Sequence, residues 1–167
     1  ELEIGKGEVI QDGTDIAIIA YGHTVDWAQQ VAKKFEKEGV SVAVINARFA
    51  KPVDKELIVK YALKTRCLVT TEEHSLMGGF GSAVLEALQE EGVFHIPVKC
   101  IGLGDIVLEH GAPKIQRKIL NLDPDGIYET VRAFYGTISG VMTSDNGKKW
   151  GFDNGKKPNS LNGEKIP

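Results

Sequence analysis

Glu72, Glu73 and His74 stand side by side, and Gly78, Gly79 and Gly81 follow within a few residues. Carboxylates and an imidazole are the groups that pass protons. Glycines permit backbone angles closed to other residues. The apolar run Cys67-Leu-Val-Thr precedes this stretch and reads as a buried strand. Ala83-Val-Leu-Glu-Ala-Leu-Gln-Glu-Glu91 follows it and reads as an amphipathic helix. A strand that delivers polar groups into a glycine-rich turn before a helix is a common place for chemistry in an α/β sheet.

Four further polar groups fall where strands end: Tyr21-Gly-His-Thr24, Asn46-Ala-Arg-Phe-Ala-Lys-Pro52, Gly102-Leu-Gly-Asp105 and Glu109-His-Gly111. If the strands are parallel, these edges share one side of the sheet, where open α/β sheets bind ligands. Each residue has a plain reading beside the chemical one. His23 can simply sit at a helix N-terminus. Arg48 with Lys51 could clamp an anion, since guanidinium forks suit phosphate or carboxylate; Arg48 could equally pair with Glu72 or Glu73. Glu73 and His74 could form an acid–base pair, but neighbours on a strand point to opposite faces. His95 reads as surface. The glycines 78–81 lack the Gly-Lys-Ser/Thr ending of a P-loop and the full G-x-G-x-x-G spacing. No metal-ligand spacing and no nucleophile elbow occur.

The elements that must position these groups follow from hydrophobic pattern. Glu8-Val-Ile-Gln11 is a short first strand at a sheet edge. Continuous apolar runs at 15–20, 41–46, 67–72 and 98–103 are strands expected to be covered on both faces. Between them, Thr24 caps a helix to about Glu38, stopped by Gly39, and Pro52 and Asp54 open another with a stripe of Leu57, Ile58, Tyr61 and Ala62. Two short helices, about 112–121 and 124–135, close the pattern. The alternation predicts a three-layer α/β/α fold with about five strands in a mostly parallel sheet.

Composition bounds the rest. The 167 residues, 42 % hydrophobic and 26 % charged, suit one globular core. A net charge of −3 without a basic block argues against nucleic acid as a partner. No apolar run reaches membrane-spanning length, no signal-peptide layout is present, and the expected location is cytoplasmic. Cys67 and Cys100 lie in strand-like runs and read as buried thiols. From Thr137 the character changes to Gly, Asn, Lys and Ser without a stripe. The expected organisation is a domain over 1–136 and an irregular tail over 137–167, with Val141, Met142, Trp150, Phe152 and Leu161 as packing anchors. The chain starts without a methionine and reads as a piece of a longer polypeptide.

Five segments carry a resemblance: Glu3-Ile-Gly-Lys-Gly-Glu8, Asn46-Ala-Arg-Phe-Ala-Lys-Pro-Val-Asp54, Thr71-Glu-Glu-His-Ser-Leu-Met-Gly-Gly-Phe-Gly-Ser-Ala-Val84, Glu109-His-Gly111 and Leu122-Asp-Pro-Asp-Gly-Ile127. In this order and spacing, residues 3–135 resemble the C-terminal domain of 1-deoxy-D-xylulose 5-phosphate synthases, which are transketolase-like enzymes. The resemblance implies that thiamine diphosphate and Mg²⁺ act in the full enzyme, between two other domains. It implies that this domain supports a homodimer and borders the active-site entrance, with none of the main catalytic residues and no cofactor held by this chain alone. Arg48, Glu73, His74 and His110 are the entrance or structural candidates, and Gly78, Gly79 and Gly81 the glycine-rich turn. Two alternatives stay open: the C-terminal domain of a 2-oxoacid dehydrogenase E1 β-subunit, and a stand-alone module that docks a partner.

Overall fold

The structure, a computed structural model, describes residues 1–139. Five strands form one sheet: β1 (Glu8–Gln11), β2 (Ile16–Ala20), β3 (Val42–Asn46), β4 (Cys67–Ser75) and β5 (Val98–Leu103). Their order across the sheet is β1-β3-β2-β4-β5. The pairs β3–β2, β2–β4 and β4–β5 are parallel, and β1 runs antiparallel to β3 at the edge. Among the described residues three helices connect strands, α1 (Thr24–Glu36), α2 (Lys55–Lys64) and α3 (Phe80–Glu90), and two follow β5, α4 (Pro113–Ile119) and α5 (Pro124–Ser139). The expected three-layer α/β/α architecture is present.

Every residue of β2 is buried, because α1 and α5 cover one face and α2 and α3 the other. Alternate residues divide between the layers. Ile16, Ile18, Val42, Val44, Cys67 and Val69 pack under α1 and α5. Ala17, Ile19, Ala43, Ile45 and Leu68 pack under α2 and α3. Such two-sided burial is why these runs are continuously apolar. The run at 98–103 departs from the expectation of double cover. Only Ile101 of β5 is buried, since β5 is the other edge strand. Cys67 is fully buried, whereas Cys100 on β5 is only partly covered; both are free thiols.

Several boundaries differ from the sequence reading, each for a local reason. Thr24 does not cap α1 but is its first helical residue, with His23 at the cap position and no side-chain cap bond. The Thr24 hydroxyl is buried and donates to the Thr71 carbonyl at 2.8 Å, tying α1 to β4. The helix ends at Glu36, and Gly39 takes the left-handed conformation (φ +76°) three residues later. Asp54 does cap α2, accepting from the Leu57 N–H at 3.1 Å. β4 runs three residues past its expected end, so Glu73 and His74 lie on the strand itself. α3 starts at Phe80 instead of Ala83, which places Gly81 and Ser82 inside its first turn. α5 continues to Ser139, beyond the helix end expected at about 135. The proposed anchors from Val141 to Leu161 lie outside the described residues.

Candidate functional site: the carboxyl edge of the sheet

All four parallel strands end on one edge, and β1 enters at that same edge, because Glu8 pairs with Asn46. The alternation of β4 distributes the acidic pair to opposite layers. Glu72 turns toward α3, and Glu73 toward α1 and α4. Glu73 and His74 therefore form no acid–base pair, as strand geometry anticipates.

Glu72 is the residue that the sequence reading undervalued. It is 1 % exposed, and its two carboxylate oxygens accept from the N–H groups of Phe80 and Gly81, both at 2.8 Å. The first N–H groups of a helix lack intrahelical partners, and the helix dipole favours an anion there. Glu72 thus caps α3 from the neighbouring strand. A usable signal was present: Glu72 ends the continuously buried part of β4, in the phase of Leu68 that faces α2 and α3, and a carboxylate there needs buried donors. The glycines serve this arrangement. A Cβ on Gly79 would lie 2.0 Å from the Ser75 carbonyl oxygen and 2.5 Å from Glu72 Oε2. One on Gly81 would lie 2.8 Å from Thr70 Oγ1. Gly78 has φ +70° and open space around it, so it is required for its backbone angle alone. Gly78 and Gly79 make the turn; Gly81 belongs to the helix.

His74 is exposed and returns to the α2–α3 side. Its ring centroid lies 6.2 Å from that of Tyr21, which itself stacks on Phe80 at 5.4 Å. Together with Lys51 and Gly79 they line an open cleft of about 610 Å³ between the start of α2 and α3. Arg48 does not share it. Its guanidinium pairs with Glu8 on β1, not with Glu72 or Glu73, so Arg48 and Lys51 make no common clamp. Arg48 also holds φ +57°, a conformation costly for a residue with a Cβ, with its N–H bonded to Asn46 Oδ1 at 3.0 Å.

On the other face Glu73 organises a cluster that spacing did not reveal. Arg117 of α4 donates to Glu73 at 2.7 Å and stacks over Trp27 at 5.3 Å from the ring centroid. His23 Nδ1 stands 3.9 Å from the same carboxylate. His110 lies in the exposed connector between β5 and α4, with no hydrogen bond or ion pair among the described residues. The four candidates share an edge but not a site: His74 faces the cleft, Glu73 the α4 cluster, Arg48 the β1 margin, and His110 solvent. Among the described residues no group of three or more His, Cys, Asp and Glu side chains could hold a metal ion. No helix among them is long and apolar enough to cross a membrane.

Fold and edge define a class: a mostly parallel α/β/α domain whose polar residues gather at the strand ends without forming a complete catalytic set. Residues 5–127 match the family model for the transketolase C-terminal domain, and the chain belongs to that family. A 1-deoxy-D-xylulose-5-phosphate synthase of Thermosynechococcus vestitus is 50 % identical over 135 residues, covering 81 % of this chain and 21 % of that protein. The synthase 1 of Geobacter sulfurreducens is 45 % identical over 134 residues, covering 80 % and 21 %. The chain thus spans about a fifth of the length of the curated relatives it matches. Among solved structures, a split-gene transketolase described as an inactive β4 tetramer superposes with a TM-score of 0.75 at 36 % identity, covering 82 % of this chain and 44 % of that one. A transketolase of Pichia stipitis, at 19 % identity and a TM-score of 0.56, shares the fold.

Proposed function

We propose that this chain is the C-terminal domain of a thiamine-diphosphate-dependent transferase of the 1-deoxy-D-xylulose 5-phosphate synthase type. Such an enzyme joins pyruvate and glyceraldehyde 3-phosphate, releases CO₂ and supplies isoprenoid and thiamine precursors. The observation that carries the reading is 50 % identity to such a synthase over 81 % of the chain. The expected setting is cytoplasmic, with the rest of the enzyme and a second copy as partners. The tetramer described for the split-gene transketolase supports self-association.

The residues here do not fit thiamine diphosphate and Mg²⁺. The α3 N-terminus, where a diphosphate would be drawn, is filled by the Glu72 carboxylate. No acidic or histidine cluster among the described residues offers a metal site. The domain's contribution is therefore support and shaping of the entrance, with the cleft beside His74 as the part that faces the remainder of the enzyme. The cofactor chemistry belongs to the other domains.

Two measurements test this. Calorimetric titration of the purified 167-residue chain with thiamine diphosphate and Mg²⁺ should show no tight binding; micromolar binding contradicts the reading. In the full-length enzyme, His74→Ala should change turnover or the Michaelis constant while the melting temperature holds. Lost stability with unchanged kinetics of the folded fraction would make His74 structural.

A further inference from the structure

No residue from Gly104 to Asn121 is buried, and only Leu120 touches the core, at its margin. The segment's hydrogen bonds close on themselves. The Ile106 N–H donates to the Gly104 carbonyl at 2.8 Å, and the Ile115 and Gln116 N–H groups to the Ala112 carbonyl at 2.9 and 3.1 Å. The Gln116 side chain donates to the Glu109 carbonyl at 2.7 Å and ties the connector to α4. None of these bonds breaks if the segment moves away from the body.

Its two ends are fixed. Leu103 pairs with Ser75 of β4, and its carbonyl accepts from the Leu76 N–H at 2.8 Å. At the far end Leu122 is buried. A Cβ on Gly126 of α5 would lie 2.5 Å from Asn121 Cα, so the two backbones touch there. Gly104 has open space around it, and Asn121 holds φ +55°, so each end turns sharply or freely at one residue. Between these pivots one side chain fastens the segment. Arg117 donates to Glu73 at 2.7 Å and lies 5.3 Å from the centroid of the Trp27 ring. Among the described residues no other ion pair or side-chain hydrogen bond joins residues 105–120 to the body.

We propose that residues 104–121 form a hinged strap, latched to the sheet edge by Arg117 between Glu73 and Trp27, which opens as a unit while the core stays folded. An ion pair between partly exposed groups and one cation–π contact are weak beside the stability of a whole domain. Opening at the latch therefore precedes global unfolding. A helix of seven residues does not hold itself together in water, so a released α4 melts. Release uncovers the Trp27 ring and leaves Glu73 facing His23, whose Nδ1 stands 3.9 Å from its carboxylate. The strap thus screens the α1 side of the edge at which the parallel strands end. The argument does not rest on the reading as a synthase domain.

The test is residue-resolved hydrogen exchange on the 167-residue chain, beside Arg117→Ala and Glu73→Gln. In the parent, amides of residues 115–120 should exchange through a local opening, well before those of β2. Arg117→Ala removes both latch contacts and should speed that exchange about 10-fold, and Glu73→Gln, which spares the stacking, about 2–5-fold. The amides of β2 and the melting temperature should hold in both variants. Trp27 and Trp150 are the two tryptophans, so in a Trp150→Phe background acrylamide should quench Trp27 more strongly once Arg117 is Ala. Unchanged exchange at 115–120 in Arg117→Ala overturns the proposal, because the latch then holds nothing. Parent amides at 115–120 that exchange only with those of β2 also overturn it, since α4 would then belong to the core. So does removal of residues 140–167 speeding the exchange as much as Arg117→Ala, for the tail would then be the fastening.

Discussion

Replacing Glu72 is the sharpest probe of how the sheet edge is built. The carboxylate is 1 % exposed and accepts two N–H bonds at 2.8 Å from the start of α3. Glu72→Ala leaves the N–H groups of Phe80 and Gly81 buried without a partner. Each such orphan costs about 1–3 kcal/mol. The lost anion at the helix N-terminus adds about 0.3–1 kcal/mol. The side chain also packs on β5, for a Cβ on Gly102 would lie 2.9 Å from Glu72 Cγ. Removing it therefore opens a void as well. The total is about 3–5 kcal/mol, or roughly 6–20 °C in melting temperature for a chain of this size. Glu72→Gln keeps one acceptor but turns an NH₂ toward a donor, and should cost about half as much. Urea unfolding followed by circular dichroism reads the difference, with the exposed Glu91→Gln as a control expected within about 0.5 kcal/mol of the parent. Hydrogen exchange should show protection lost first at Phe80 and Gly81. If Glu72→Ala costs less than about 1 kcal/mol, or Glu72→Gln costs nothing, the carboxylate does not hold the α3 N-terminus and the account of the edge is wrong.

Gly79→Ala should destabilise by more than about 2 kcal/mol, because its Cβ would lie 2.0 Å from the Ser75 carbonyl oxygen. Gly78→Ala meets no atom within 4 Å, so it should cost only its φ +70° strain, about 1 kcal/mol, and the order of the two melts checks the assignment. The Lys64 ammonium, the Tyr61 hydroxyl and the Gly13 N–H hold the Asp12 carboxyl down at about 2. Its folded value is depressed, so its contribution is present at neutral pH and fades as pH falls below 3.8 toward 2. Lys64→Gln should raise the value, as carboxyl chemical shifts would show, and blunt this acid loss. Burial, with Asp15 nearby, pushes the Cys67 thiol up to about 12. A disulfide reagent at about pH 8 should leave Cys67 unmodified until the chain is unfolded in denaturant; rapid labelling of the native protein at that residue would contradict its burial.

The strand–helix alternation, the two-sided cover of the central strands and the cap at Asp54 were legible in the sequence, because each is a local consequence of apolar periodicity or of a short polar side chain at a helix start. The motif residues from Glu3 to Ile127 likewise sufficed for the family. The partners were not legible. Arg48 was read either as an anion clamp with Lys51 or as a partner of Glu72 or Glu73, but the antiparallel return of β1 brings Glu8 to it instead. Arg117 lies 44 residues from Glu73, and the two meet where the Arg117 guanidinium stacks over Trp27 of α1. The end of β4 was misplaced because Ser75 pairs with Leu103 of β5, and the start of α3 for a different reason. The Glu72 carboxylate satisfies the first N–H groups of the helix from across the turn, so α3 begins at Phe80 without any capping residue of its own. Periodicity specifies which face of an element is buried, and it acts over a few residues. Which charge meets which depends on strand order and on the direction of each return, and those are settled only when the whole sheet closes.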